Sequence, residues 1–230
     1  MEDGRECVRY SCHKVQPDWR RLAPAEREQG RMEFAAIIEE LGDNMLVRSY
    51  SLMGTRGDAD FMLWSVAESL EQLQELSTRL YSTRLGAYLE TPFSYLAMTK
   101  RSMYLREHRH EGQEGSRLKI KPVGSKYLFV YPFIKSREWY LLPFEQRQEM
   151  MSKHIAVGHK YPKVKINTGY SFGIDDQEFV VAFEAESPGD FLDLVMELRG
   201  TKASQYTVRD TPAFSGVAMP IAETLRSLGG

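Results

Sequence analysis

Two cysteines, five histidines and a net charge of −2 in 230 residues exclude several function classes at the outset. Cys7 and Cys12 form a single C-x4-C pair. One such pair is neither a disulfide framework nor a zinc ligand set. Two reduced thiols in a cytoplasmic protein are the expectation. A near-neutral chain lacks the basic footprint of a nucleic-acid binder. No apolar run approaches the roughly 20 residues a membrane-spanning helix requires. The start, MEDGRECVRY, is charged throughout, unlike a secretory signal. Neither nucleic acid nor a membrane is therefore an expected partner. Gly54-x-x-Gly57 reads as a turn and not a phosphate loop, and Asp175-Asp176 in GIDDQ reads as turn chemistry and not a calcium site. What is present is ordinary for a soluble globular chain: 42% apolar, 11% aromatic and 27% charged residues, enough for one large domain or two smaller ones.

The chain repeats itself at a spacing near 120 residues. Tyr10, Lys14, Trp19, Pro24, Glu26 and Arg27 are echoed by Tyr131, Lys135, Trp139, Pro143, Glu145 and Arg147. Tyr50-Ser51-Leu52 is echoed by Tyr170-Ser171-Phe172, and DFMLWSVAES by EFVVAFEAES. So many matches in one order indicate a duplicated domain. Pro24 suits the first turn of a helix, where its missing N–H costs nothing. Phe34, Ile37, Ile38 and Leu41 then fall on one helix face. Leu70, Leu73, Leu76, Leu80 and Leu85 form a second stripe. The first half predicts strand 7–14, helix from 24, strands 45–53 and 60–66, helix 70–85 and strand 88–98. The second predicts strands 127–134, 164–172, 179–185 and 206–218, with helices 143–158 and 190–199. Each half is a ferredoxin-like βαββαβ unit of an α+β protein. The expected division is 1–100, a charged glycine-bearing linker or lid at 101–121, and 122–230 carrying the site.

The chemistry concentrates in YPFIKSREWYLLPFEQRQEMMSKH, residues 131–154. The repeat acts as a control on this segment. Tyr131, Lys135 and Trp139 have echoes in the first half, so recurrence alone reads them as scaffold, with Trp139 a packing residue. His154 differs, because its counterpart is Phe34 or a neighbour. The fold accepts an apolar side chain there, and the second half carries an imidazole. Iron in a porphyrin needs one strong axial donor from the protein, whereas zinc takes three or four. Arg and Lys suit the porphyrin carboxylates; Lys135, Arg117 and Arg199 lie in or beside predicted elements of the same half. His108 and His110 form an H-x-H pair in the linker, read as solvated.

The same segment, with SFGIDDQEFVVAFE and LRGTKASQYT, resembles the chlorite dismutase-like family, and within it the coproheme decarboxylase branch. The resemblance covers the whole chain and is strongest over 126–206. It implies two ferredoxin-like halves forming a dimeric α+β barrel, assembled as a homopentamer. It implies His154 as proximal iron ligand, Tyr131 as the redox-active residue, and Lys135, Arg199 and Ser204 as propionate contacts. Arg117 maps to a further basic position, and Trp139 joins the cofactor-facing set. Chlorite dismutases carry an arginine thirteen residues past the proximal histidine; Asn167 stands there in this chain and is expected to face the cofactor. The missing cation argues against chlorite decomposition. The distal base is left open between Glu114, His108 and His110. The expected reaction is peroxide-driven decarboxylation of iron-coproporphyrin III to haem b. Its rivals are a chlorite dismutase or peroxidase-like haem enzyme, and a haem-binding protein without chemistry.

Overall fold

The structure, a computed structural model, describes residues 4–104 and 118–229. The chain order is β1 (Cys7–Val15), α1 (Pro24–Leu41), β2 (Leu46–Ser51), β3 (Phe61–Ala67), α2 (Leu70–Tyr81) and β4 (Leu89–Met98). It continues with β5 (Tyr127–Lys135), α3 (Arg137–Leu141), α4 (Phe144–His159), β6 (Lys165–Tyr170), β7 (Phe179–Ala185) and α5 (Pro188–Arg199). The chain closes with β8 (Thr207–Arg209), β9 (Phe214–Ala218) and α6 (Ile221–Arg226). This is the α+β order of two ferredoxin-like repeats. The residues sort into two units, Met1–Met98 with Phe214–Gly230, and Thr99–Ala213.

In the first unit β1 lies between β3 and β4, β2 pairs with β3, and β9 pairs with β2, all antiparallel. Side chains alternate along β1. Cys7 and Val15 join Phe61 and Leu63 of β3, Phe34 and Ile38 of α1, and Leu73, Leu76 and Leu80 of α2 in one apolar core. Each fully buried leucine contributes about 1.5–3 kcal/mol. The other face of β1 carries Val8, Tyr10 and Cys12, also buried, with Tyr10 stacked on Trp64 at 5.5 Å. Both cysteines are free thiols. Helix α1 opens on Pro24, and the Glu26 carboxylate accepts from the Ala23 amide at 3.2 Å. Ser69 caps α2 by accepting from the Gln72 amide at 3.3 Å.

In the second unit β5 lies between β7 and β8, and β6 pairs with β7. Phe129, Phe183, Ala185 and Leu194 form its core, with Tyr131, Val181, Val157 and Phe191 packed against them. The turns at Gly54 and Gly173 both take positive φ, +79° and +74°, which a side chain would resist. The final strand departs from expectation. The run 206–218 is broken into β8, which pairs with β5, and β9, which pairs with β2 of the first unit. Pro212 sits in the break, where it has no N–H to offer a ladder.

Gly86 follows α2 at a point of close backbone approach: a Cβ there would lie 2.1 Å from the Leu80 carbonyl oxygen. Gly86→Ala is expected to destabilise the fold by at least about 2 kcal/mol in urea unfolding. Gly57→Ala, where nothing lies within 4 Å of the added carbon, should stay within about 0.5 kcal/mol of the parent.

Candidate functional site

The backbone hydrogen bonds give the true register of the duplication. Val15 N donates to Asp60 at 2.9 Å, and Lys135 N to Glu178 at 2.8 Å. Gln16 N donates to Tyr88 O, and Ser136 N to Tyr206 O; Trp19 N donates to Gln16 O, and Trp139 N to Ser136 O. Around β1 and β5 the offset is therefore 120. Trp19 and Trp139 are equivalent, as the sequence echo has them. Tyr131 is equivalent to Ser11 and not to Tyr10, and Lys135 to Val15 and not to Lys14. A slip of one residue moves a side chain to the other face of a sheet. Tyr10 faces Trp64; Lys14 reaches Asp60 at 2.8 Å in a partly exposed pair. Tyr131 instead stacks on Phe183 at 5.8 Å, on the face that the helices cover. The recurrence that reads Tyr131 and Lys135 as scaffold is a near-coincidence of sequence.

Helix α4 carries the second asymmetry. Arg27 N bonds Ala23 O and Arg147 N bonds Pro143 O, again an offset of 120. His154 thus occupies the place of Phe34, which is fully buried and packs edge-on against Phe61. Helix α1 buries Gly30, Phe34 and Ile38, whereas α4 has no fully buried residue. Gly158 stands where Ile38 stands, and nothing lies within 4 Å of a carbon added to it. The His154 Nδ1 is itself buried and has no hydrogen-bond partner among the described residues. Burial pulls the imidazole pKa down to about 4, and the charge of Lys135 adds to the shift. His154 is therefore a neutral donor with a free lone pair at neutral pH.

Lys135 ends β5 on the same face as Tyr131 and is 8% exposed. Its ammonium donates to the Ala203 carbonyl and lies 4.6 Å from the Trp139 ring centre and 5.3 Å from that of Phe133. Burial lowers its pKa to about 8, opposed by the charge of Glu178. Trp139 is buried and also meets Tyr206 at 5.4 Å and Tyr104 at 6.4 Å. Glu178 accepts both the Lys135 amide and the Tyr140 hydroxyl, the latter at 2.5 Å.

Tyr131 is held protonated. Burial raises its pKa most, the Asp210 charge adds to that, and Arg199 opposes it. Arg199, in the last turn of α5, forms an ion pair with Asp210 and is 57% exposed. Ser204 lies just beyond α5, and its hydroxyl points back to the carbonyls of Arg199 and Thr201 at 2.7 and 2.8 Å. No motif marks Asp210 or Glu178: Asp210 falls within the run expected as a strand, and Glu178 follows the GIDDQ turn, yet the fold brings one to Arg199 and the other to Lys135.

Asn167 is not brought to this cluster. It pairs across the ladder with Ala182, and Tyr131 pairs with Val181, so the two side chains point to opposite faces. The Asn167 amide donates to fully buried Glu184 at 3.0 Å, which also accepts from the amides of Val123 and Gly124. Counting thirteen residues from His154 finds the position but not the face. Ile166 and Thr168 point to the helix-covered side instead. Arg117, His108, His110 and Glu114 lie outside the described residues.

The cluster offers one neutral imidazole, one buried amine, one protonated phenol and one exposed guanidinium. Among the described residues no group of three or more His, Cys, Asp or Glu is arranged to hold a metal ion. The donor set fits a metal that brings most of its own ligands, and iron porphyrin is such a group. The orphaned Nδ1 and the open surface at Gly158 fit it as well.

His154→Phe, which copies the other half, is expected to stabilise the porphyrin-free protein by about 1 kcal/mol in urea, since it removes a buried unpaired polar atom. Lys135 gives a pH signature. Its folded pKa of about 8 lies below the ordinary 10.5, so between those values the unfolded chain binds more protons. Stability gains from this group as pH rises through that window, and the full cost is present below it. Lys135→Met should remove that alkaline rise in urea midpoints.

Residues 27–219 match the family model described as Chlorite dismutase. The chain is 33% identical over 214 residues to the coproheme decarboxylase of Mycolicibacterium smegmatis, covering 90% of each. It is similar to a mutant chlorite dismutase from Candidatus Nitrospira defluvii, with a TM-score of 0.88 and 27% identity over 98% of this chain and 95% of that one. The chlorite dismutase from the same organism in complex with imidazole matches with a TM-score of 0.87, also at 27% identity, over 98% and 95% of the two chains. With a family match over residues 27–219 and a relative 33% identical over 90% of the chain, on a duplicated ferredoxin-like fold, this chain belongs to the chlorite dismutase family.

Proposed function

We propose that this protein is a haem-binding oxidoreductase that converts iron-coproporphyrin III to haem b at the expense of hydrogen peroxide. The observation that carries the reading is the buried, unpartnered Nδ1 of His154 on a helix face that buries no side chain of its own. The similarity to a coproheme decarboxylase sets the direction.

Each propionate would lose CO2, a proton and two electrons and become a vinyl group. One hydrogen peroxide would take up the two electrons and two protons and leave as two waters. The bound iron porphyrin supplies the site at which peroxide is reduced. The protein's residues do the rest. Neutral His154 binds the iron. The Lys135 ammonium and the Arg199 guanidinium receive propionate charges. For Lys135 this restores full protonation to an amine whose pKa burial has lowered. Tyr131 gives up an electron and its phenolic proton and recovers both from the propionate side chain. Its raised pKa keeps that proton in place until the oxidation. Ser204 serves by ending α5 so that Arg199 is held at the site. Trp139 is the floor under Lys135.

The chlorite dismutase structures keep a second reading in view, dismutation of chlorite at the same iron. The described residues of β6 on the helix-covered face, Ile166 and Thr168, offer no cation to hold an oxyanion at the iron. That favours the decarboxylase. Several apolar side chains of the second unit are exposed, Leu192 at 60% and Met196 at 66% among them, in keeping with a homo-oligomer such as the pentamer that the resemblance implies. The buried free thiols are in keeping with a cytoplasmic location.

Titrating the coproheme complex with peroxide should give a product lighter by two carboxyl groups in mass spectrometry. Tyr131→Phe should bind coproheme with an affinity within about threefold of the parent and yield none of that product. Full turnover by this variant, or sustained oxygen release from chlorite by the parent, would overturn the assignment.

A further inference from the structure

The first unit holds a cavity of about 150 Å3, lined by polar side chains together with Phe34, Leu80 and Leu89, at the place equivalent to the candidate site. Ser11 lines it where the other half has Tyr131, and Phe34 where the other half has His154. Phe34 fills the position of the iron ligand, so no porphyrin fits. The space left equals roughly five water volumes of ~30 Å3. Arg9, His13, Ser77, Thr91 and Ser94 also line it.

The charges in this cavity do not balance. Arg9 Nη1 donates to Ser77 Oγ at 2.5 Å, and its Nε is buried with no acceptor. No aspartate or glutamate lines the cavity, and no ion pair of Arg9 occurs among the described residues. Burial lowers the pKa of the guanidinium. Arg9 and Ser65 are directly opposed on β1 and β3, and the fully buried Ser65 Oγ is also without a partner. His13 stands neutral: burial, then the charge of Arg9, pulls it down to about 3. Its Nε2 meets Ser11 Oγ at 3.0 Å and its Nδ1 meets Thr91 Oγ1 at 3.1 Å. Tyr81, 45% exposed and bonded to Thr91, stands at the mouth. Every polar side chain in the lining other than His13 is a guanidinium or a hydroxyl, and of these Ser77 already gives its proton to the Leu73 carbonyl at 2.7 Å. A partly buried cation in the lining of a cavity that holds hydroxyls and no carboxylate lacks its anion.

We propose that this cavity binds a small oxyanion, a carboxylate or a phosphate, through Arg9 with the hydroxyls of Ser94 and Ser11, while Ser77, whose proton goes to the Leu73 carbonyl at 2.7 Å, accepts from Arg9 and orients it. The ligand is limited by volume to a few heavy atoms. The site is separate from the porphyrin site and uses none of its residues.

The test is thermal unfolding of the full chain, with and without coproheme, in acetate, bicarbonate or phosphate against chloride at matched ionic strength. His13 ring resonances are followed by NMR in the same titrations. The expected result is a saturable rise in Tm at millimolar anion, with the His13 shifts saturating at the same midpoint. Both should weaken at least tenfold in Arg9→Gln, while coproheme binding by that variant is unchanged. Acetate or bicarbonate alone would assign a carboxylate-type ligand, phosphate alone a phosphate, and both a general oxyanion site. If Arg9→Gln does not fold, Ser94→Leu, which fills the cavity, carries the same comparison. A response no different from chloride, His13 shifts that do not saturate, or full retention in the folded variant would overturn the proposal.

Discussion

The alternation of side chains along β5 is the constraint on which the second unit depends. A strand sends successive residues to opposite faces. Phe129, Tyr131 and Lys135 therefore share the face that α4 and α5 cover, while Leu128 and Val130 are buried on the other. The Glu178 carboxylate grips the Lys135 amide at the end of the strand and holds this register. A slip of one residue would turn the phenol and the amine away from His154 and present Val130 in their place.

The duplication shows what the second unit has given up. In the first, Phe34 and Ile38 fill the space between α1 and the sheet, and the helix is held by apolar burial. In the second, His154 and Gly158 take those positions, and α4 is left with no fully buried residue and, among the described residues, a polar atom without a partner. Such an arrangement costs stability in the empty protein. It makes sense where a ligand both fills the space and uses the lone pair. Substitutions that merely restore core packing would improve the fold at the expense of the site, a trade that functional positions commonly show.

The electrostatics follow from partial burial next to chosen charges. His154 and Lys135 are both pushed toward their neutral forms by burial, and the charge of Lys135 further disfavours charge on His154. Asp210 has two effects: it pairs with Arg199 and it keeps Tyr131 protonated. An incoming carboxylate would compete with Asp210 for the guanidinium, which couples the seating of a propionate to the environment of the phenol. The cavity of the first unit applies the same physics to Arg9, with no carboxylate in its lining to answer the charge.

Much of this was legible in the sequence. Helix stripes such as Leu73, Leu76 and Leu80, the proline starts and the glycine turns set the element order, because these signals are local. His154 stood out because the equivalent helix carries Phe34. The remainder was not local. The echo of Tyr10 in Tyr131 suggested an equivalence that is wrong by one residue, and only the ladder hydrogen bonds reveal the slip. Asn167 was found by counting, but its face is set by pairing with Ala182, and its amide is taken by Glu184. Glu178 and Asp210 reach the site from 43 residues beyond Lys135 and 11 beyond Arg199, with no motif to announce them. The sequence by itself determined the duplicated α+β fold and the odd imidazole, since periodicity and composition act over a few turns of chain. Tertiary structure alone decided which side chains share a face with that imidazole, because strand register is a long-range choice that one residue can invert.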